Sequence, residues 1–471
     1  MEKILVLDFG GQYAQLVAKR VRECKVYSEV LPYSTPISEI RDGGYKGVIA
    51  VGDTLEDAAI DEEIFSLGIP VLGIGSGALV LTTALGGKVT SGVSEFGKVV
   101  LQLDSTCALL SSLPPKTDCY MHHSDYIKQI PTGFRITAKT DACPVAAMEN
   151  ASRGIFIVQF HPEVSDTPLG RNIFKNFLYG ACGCHAEWTT ASFVRRSVAS
   201  LQEKIGDRRV LCAISGGASS NVAAMLLHKA VGDKLTCLFV DNGMLRLGEA
   251  DEIRAVFGSE YSLKLVAVDA KERFFGKLIG ISDKEAKKNI INEELIRVFA
   301  DEAAKLGHFD FIVKNSKNHK VAALCESLDI GNVVEPLADL FRDEIYSLGL
   351  ELGLSEELSY RQPFPTAGLA ARVGGEITAE KLSIVREADA IFREEITAAR
   401  LERSVSRYFA EVSENSRDGY TVSLCAQLYD DLGNAVCAPL PFEVLSRCAE
   451  RISALPKVTN TVYTLKDKEN V

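Results

Sequence analysis

Pro70-Val71-Leu72-Gly73-Ile74-Gly75-Ser76-Gly77-Ala78 runs out of an apolar strand, through closely spaced glycines, into a helix. The surrounding stretch between Glu63 and Lys88 carries no charge and imitates a membrane span. Pro70 and the glycines at 68, 73, 75, 77, 86 and 87 punctuate it, so strand, tight turn and buried helix is the better reading. In α/β folds chemistry collects at such junctions, because backbone N–H groups converge there. Flanking glycines permit the strained turn of a nucleophile elbow, and the frame from Gly73 to Gly77 puts the nucleophile at 75. Position 75 is glycine. Ser76 is one residue off, and in so tight a turn its hydroxyl aims elsewhere. The segment also fits the loose dinucleotide pattern Gly73-x-Gly75-x-x-Ala78. That signal is weak: it follows a third strand rather than a first, and no acidic residue ends a strand about 20 residues on.

Working outward, Lys3–Asp8 is a short apolar run ending in Asp8-Phe9-Gly10-Gly11. Gln12–Cys24 has helical spacing at Leu16, Val17 and Val21, and Gly47–Val51 is another buried-strand run. The alternation predicts a mostly parallel sheet covered by helices. It is interrupted near Gly180-Ala181-Cys182-Gly183-Cys184, and Trp188 opens a helical stretch. A second α/β pattern starts at Val210–Ile214, followed by Ser215-Gly216-Gly217 and a helix. Lys234–Val240 is the next strand, ending in Asp241-Asn242-Gly243, and helical patterns run from about 282 to 305. Beyond Arg361-Gln362-Pro363-Phe364-Pro365 the chain changes character. Glu380–Arg403 reads as a charged amphipathic helix, and strand-like runs at Tyr420–Leu424 and Thr461–Leu465 surround a helix at about 442–453, a small α+β unit.

The 471 residues suit roughly three domains. With 46% apolar and 24% charged residues, the chain can bury ordinary globular cores without disulfide staples. Lys plus Arg number 52 against 63 Asp plus Glu, a net charge of −11 that argues against non-specific nucleic-acid binding and leaves room for a local basic patch. The 12 cysteines are scattered, and Met1-Glu2-Lys3-Ile4 lacks a signal peptide's apolar stretch. Free thiols in a reducing cytoplasm are therefore expected, with no membrane partner. Cys182-Gly183-Cys184-His185 cannot close a tetrahedral metal site without distant partners, so no metal is expected.

Two further segments carry chemistry. Phe160-His161-Pro162-Glu163 follows the apolar run Ile155–Val158. Its His and Glu read either as a base and its orienter or as a hydrogen-bonded turn. Ser215-Gly216-Gly217-Ala218-Ser219-Ser220 reads either as a phosphate cradle or as a plain turn.

Ile4-Leu5-Val6-Leu7-Asp8-Phe9-Gly10-Gly11-Gln12-Tyr13, Tyr27-Ser28-Glu29, Pro70–Ile74 and Gln159–Val164 resemble a class I glutamine amidotransferase domain, specifically that of the GMP synthase family. The resemblance implies a Cys–His–Glu triad that hydrolyses glutamine and releases ammonia. It puts His161 and Glu163 on the base and orienter, and Gly75 where the cysteine belongs. The family's Ser-Gly-Gly-Pro loop reads Val51-Gly52-Asp53-Thr54, where a carboxylate would oppose a developing oxyanion. The glutamine-contacting helix start reads Ala78-Leu79 instead of Met-Gln, and His122 and His123, ahead of Asp125, resemble a family loop and are expected as loop structure. Without a nucleophile no acyl-enzyme forms, so a dead glutaminase is expected.

The Ser215 segment resembles the PP-loop of ATP pyrophosphatases, Ser-Gly-Gly-Val-Asp-Ser-Ser, and Phe239-Val240-Asp241-Asn242-Gly243-Met244-Leu245-Arg246 is similar to the string GMP synthases carry after the second strand. The resemblance implies ATP binding by Ser215, Gly216, Gly217, Ser219, Ser220 and Asp241, with Mg2+ compensating the phosphates, adenylation of the 2-oxygen of xanthosine monophosphate (XMP), and displacement of AMP by ammonia. Ser219 stands at the family's aspartate and Asn221 at the second of its serines, which removes a likely metal-organising carboxylate. The Gln-Gly-Thr-x-Tyr-Pro-Asp segment is missing after Val313, and the Lys-Ser-His-His-Asn loop is matched only loosely around Lys317-Asn318-His319-Lys320. Glu335-Pro336-Leu337, Phe341-Arg342-Asp343-Glu344 and Leu348–Leu354 do match.

Arg361-Gln362-Pro363-Phe364-Pro365-Thr366-Ala367-Gly368-Leu369-Ala370-Ala371-Arg372 is similar to the family's junction, with Thr366 and Ala367 replacing glycine and proline. By resemblance, Arg361 and Arg372 bind the acceptor, whose phosphate needs forked cationic donors. The family's arginine-bearing stretch is absent between Tyr408 and Tyr420, its strand arginine is replaced in Ser423-Leu424-Cys425, and its Lys-Pro-Pro tail is absent from Leu465–Val471. The expected architecture is a flavodoxin-like amidotransferase domain at 1–185, a Rossmann-like ATP-pyrophosphatase domain at 186–372, and a small α+β domain at 373–471 that makes a homodimer. Two functions stay open: a degenerate homologue that binds a nucleotide or a partner, and an active ATP-dependent ligase using free ammonia on XMP or a changed acceptor.

Overall fold

The computed structural model of the chain describes residues 1–52, 59–314, 328–415, 419–431 and 433–465. They form two compact units, Met1–Thr189 with Asp431–Gly433, and Thr190–Asp430 with Asn434–Val471. The first is built on β1 (Lys3–Asp8), β2 (Tyr27–Pro32), β3 (Gly47–Gly52), β4 (Val71–Gly75), β5 (Lys88–Leu103), β6 (Lys116–Gln129), β7 (Arg135–Lys139), β8 (Ala147–Asn150) and β9 (Ile155–Val158). They make one sheet in the order β2-β1-β3-β4-β9-β8-β7-β5-β6. The pairings from β2 across to β9 are parallel, and those beyond β9 are antiparallel. Ile4–Leu7, Val48–Val51 and Ile155–Val158 are buried at every position, as strands covered on both faces must be. The helix Tyr13–Glu23 buries Leu16, Val17 and Val21, the spacing that predicts it. The uncharged stretch is β4 followed by the helix Ser76–Ala84. Among the described residues no helix is long and apolar enough to cross a membrane.

His122 and His123 correct one expectation: they lie in β6, not in a loop. The β5–β6 ladder pairs Phe96 with His122 and Glu95 with His123. Strand alternation then sends the two rings to opposite faces, His123 buried and His122 exposed.

The second unit holds β10 (Val210–Ile214), β11 (Leu235–Asp241), β12 (Leu265–Asp269), β13 (Phe311–Val313) and β14 (Asn332–Val334). These form a parallel sheet in the order β12-β11-β10-β13-β14. A further sheet contains β15 (Arg407–Glu414), β16 (Tyr420–Tyr429), β17 (Ala435–Cys437) and β18 (Val458–Thr464). The helices Ala379–Ala398 and Phe442–Ser453 cover this last sheet. One apolar cluster runs from Met244, Phe274 and Ile291 to Leu382, Phe392 and Ile452, so the two sheets of this unit share a core.

The helix expected over Glu380–Arg403 stops at Ala398. Arg400 takes φ +57°. The Leu401 N–H then reaches the Ile396 carbonyl and the Arg400 N–H reaches Thr397, a Schellman end made without glycine. All eleven cysteines among the described residues are free.

Candidate active sites

The first site lies where β4 and its neighbour β9 end. Gly75 has φ +58° and ψ −126°, a conformation that residues with a side chain rarely adopt, and it caps the helix Ser76–Ala84. A Cβ on Gly75 would sit 3.1 Å from His161 Nε2 and 2.7 Å from Cε1. On its other side, His161 Nδ1 is 2.7 Å from Glu163 Oε1. Both residues are buried, and Glu163 Oε2 has no hydrogen-bond partner among the described residues. The His161 ring packs on Tyr13 at 4.3 Å between centroids. Its backbone is fixed as well: the His161 N–H donates to the Tyr120 carbonyl, and Thr167 Oγ1 donates to the His161 carbonyl at 2.6 Å. The Glu163 carbonyl accepts from Arg20 Nε at 2.6 Å. An imidazole and the carboxylate bonded to it are thus held in place, facing a position that has no side chain. Val51 and Gly52 end β3, while Asp53 and Thr54 lie outside the described residues.

The second site opens at the end of β10. Gly216 takes φ +79°, a conformation that favours glycine, and a Cβ there would press on the tip of the Ile253 side chain, with Cδ1 at 2.5 Å. Ser220 Oγ donates to the Gly217 carbonyl at 2.8 Å and accepts the Ser215 N–H at 3.2 Å. Asn221 Nδ2 donates to the Gly216 carbonyl at 3.0 Å. These bonds lock the turn at the N-terminus of the helix Ala218–Val231, where the helix dipole favours an anion.

A cavity of about 250 Å³ lies beside this turn. Ser215, Gly217, Asn242, Glu249 and Arg361 contribute polar groups, and Phe239, Leu295 and Phe299 supply apolar wall. Asp241 is buried behind it: Oδ1 accepts the Gly243 N–H at 3.0 Å, and Oδ2 lies 3.2 Å from Lys271 Nζ and 3.5 Å from Arg254 Nη2. Arg361 is buried and paired with Glu249 at 3.6 Å and with Glu252. Ser219 is half-buried on the helix and does not line the cavity.

Arg372 belongs to a different cavity, of about 160 Å³, shared with Lys284, Lys287, Gly374, Glu411 and Ser423. Its guanidinium stacks on Phe409 at 3.5 Å and bonds Glu411 at 3.2 Å. Lys287 donates to the carbonyls of Val373 at 2.6 Å and Gly375 at 2.9 Å. Burial, and then the charges of Lys381 and Lys284, hold the Lys287 ammonium below its ordinary pKa. Burial likewise lowers Arg372, and the nearby Arg407 charge adds to it.

The two arginines expected together at the acceptor therefore line separate cavities, while Ser215, Gly217 and Arg361 share one. Sequence reading missed Glu249, Lys284, Lys287 and Arg386, none of which has a diagnostic spacing. Arg386, on the helix Ala379–Ala398, donates to the carbonyls of Leu245 at 3.0 Å and Gly243 at 2.8 Å and so pins the loop after β11. In Cys182-Gly183-Cys184-His185 both thiols are buried, and the exposed His185 pairs with Glu2 at 3.2 Å.

The family model for glutamine amidotransferase class-I matches residues 5–181. The chain is 43% identical over 498 residues to a GMP synthase (glutamine-hydrolyzing) of Clostridium perfringens, covering 99% of this chain and 98% of that one. It is 44% identical over 501 residues to that of Acetivibrio thermocellus, with the same coverage. A solved glutamine amidotransferase of Thermotoga maritima matches 39% of this chain and 99% of its own, at 16% identity and a TM-score of 0.32. The end-to-end likeness to these synthases, with both strand-end sites in family order, makes this chain a member of the glutamine-hydrolysing GMP synthase family.

Proposed function

We propose that this chain is a degenerate member of its family: it has lost glutamine hydrolysis, binds a nucleotide at the Ser215 turn, and no longer makes GMP. The observation that carries the proposal is Gly75. His161 Nε2 faces a point 3.1 Å away that only a Cβ would fill, and glycine has none. No thioester forms without a sulfur, so glutamine releases no ammonia here.

Nucleotide binding is supported by the locked turn, the helix N-terminus and the adjoining cavity with its apolar wall. Ser215, Gly216, Gly217 and Ser220 would hold the phosphates. The donor set fits Mg2+ less well: Ser219 offers no carboxylate, and the Asp241 carboxylate is committed to Lys271, Arg254 and the Gly243 N–H. Self-association through residues after about 373 agrees with the exposure of Val436, Phe442, Val462 and Leu465. Free thiols agree with a cytoplasmic setting.

A second reading, ATP-dependent amination by free ammonia on XMP or a changed acceptor, draws support from the second cavity, where Arg372, Lys284 and Lys287 outnumber the one carboxylate, Glu411. One experiment separates the two: calorimetric titration with ATP beside a GMP-formation assay with XMP, ammonium and magnesium, in wild type and Ser219→Asp. ATP binding without GMP in either protein is the expected result. GMP formed by wild type at about one turnover per second, typical of working enzymes, would establish the second reading.

A further inference from the structure

We propose that Glu95, His123 and Cys143 form a zinc(II) site in the first unit. A carboxylate oxygen of Glu95, a ring nitrogen of His123 and Cys143 Sγ all lie within 4.8 Å of one another. The three come from β5, β6 and the turn after β7. The first two face each other because they are directly opposed in the ladder. None belongs to the His161–Glu163 pair or to either cavity.

The unsatisfied group is His123. It is more than nine-tenths buried, and among the described residues no hydrogen bond of ordinary geometry reaches either ring nitrogen; Glu95 Oε2 lies 3.5 Å from Nε2. A buried imidazole in that state costs free energy unless something accepts or donates there, and a metal ion accepts a nitrogen lone pair.

The other two ligands are pre-oriented. Thr140 Oγ1 lies 2.8 and 2.9 Å from the Glu95 carboxylate oxygens and accepts the Cys143 N–H at 2.8 Å. One hydroxyl therefore ties the carboxylate to the turn that carries the thiol, the arrangement that supports metal ligands from behind.

Ligand chemistry selects the ion. Sulfur, imidazole nitrogen and carboxylate together suit Zn2+ rather than Mg2+ or Ca2+, which prefer oxygen alone. Zn2+ takes the Cys143 sulfur as thiolate and its proton leaves to solvent. One divalent cation, one carboxylate, one thiolate and one neutral imidazole sum to zero charge, which suits burial. Ligand atoms around tetrahedral zinc stand about 3.5 Å apart, the separation Glu95 and His123 already have, so binding draws in Cys143 Sγ, and a water takes the fourth position.

The test uses full-length protein stripped with a chelator and titrated with Co2+, then Zn2+. One equivalent of Co2+ should give thiolate-to-cobalt absorption that Zn2+ abolishes. Cys143→Ser should lose that absorption and weaken Zn2+ binding at least about tenfold, as even the loss of supporting groups does. His123→Gln, which keeps the thiol, should weaken Zn2+ binding as much and guards against misfolding of the first variant. A Cys182→Ser/Cys184→Ser double variant should behave as wild type. The proposal fails if wild type shows no thiolate–cobalt band, if the band survives Cys143→Ser, if His123→Gln binds Zn2+ as wild type does, or if the band vanishes in the double variant.

Discussion

At Gly75 the proposed loss of glutamine hydrolysis rests on one missing side chain. His161 is buried, paired with Glu163 at 2.7 Å and packed on Tyr13, so it cannot drift to another partner. Wild type should release no glutamate from glutamine above a buffer blank, and His161→Ala should change nothing. Gly75→Cys should restore proximity without full function. Its Cβ would sit 2.7 Å from His161 Cε1, so the ring must give, and φ +58° strains any side chain. A loss of about 1–3 kcal/mol is expected on denaturant unfolding. The new thiol should react with iodoacetamide faster than in Gly75→Cys/His161→Ala, since the imidazole draws off its proton. Equal rates would mean that His161 does not reach position 75.

Two helices of the second unit carry predictions of their own. Glu395, on the helix Ala379–Ala398, accepts from Arg447 Nε at 2.7 Å and Arg451 Nη1 at 2.8 Å on the helix Phe442–Ser453. Hydrogen bonds from these two guanidiniums hold the Glu395 carboxyl below its ordinary 4.5. A depressed carboxylate stabilises the fold fully above the unfolded pKa and loses that contribution as pH falls through the folded one. Glu395→Gln should therefore lower stability by about 1 kcal/mol at pH 7, and the gap to wild type should close in acid, below the ordinary carboxylate value. A gap that does not change with pH would remove the ion pairs from the explanation. Arg386 acts between elements, through its two bonds to the Gly243 and Leu245 carbonyls. Arg386→Met should cost about 2 kcal/mol in urea melts and weaken ATP binding in calorimetry, because the loop after β11 borders the cavity proposed to take the nucleotide. Unchanged ATP affinity would separate that loop from the nucleotide.

At the scale of the whole molecule the prediction is self-association. Phe442 is 77% exposed at the start of the last helix. Light scattering at micromolar concentration should report a dimer, and Phe442→Glu should shift the mass toward the monomer; a wild-type monomer would refute it. The sequence determined what depends on short runs of residues. Continuous apolar runs marked the buried parallel strands, the Leu16, Val17 and Val21 spacing marked the first helix, and the glycine at 75 was legible because covalent identity needs no coordinates. The end-to-end family likeness was legible for the same reason. Tertiary structure alone decided which side chains meet. Arg361 and Arg372 belong to one continuous motif, yet a turn of chain sends them to different cavities. His122 and His123, whose sequence resembles a loop, are placed by the β5–β6 register on opposite faces, with His123 set against Glu95. Cys143 joined them from a third segment with no spacing to announce it. Local periodicity gives the face a residue occupies, but what lies across from that face is set by strand register and long-range packing, and these are settled only when distant segments close on one another.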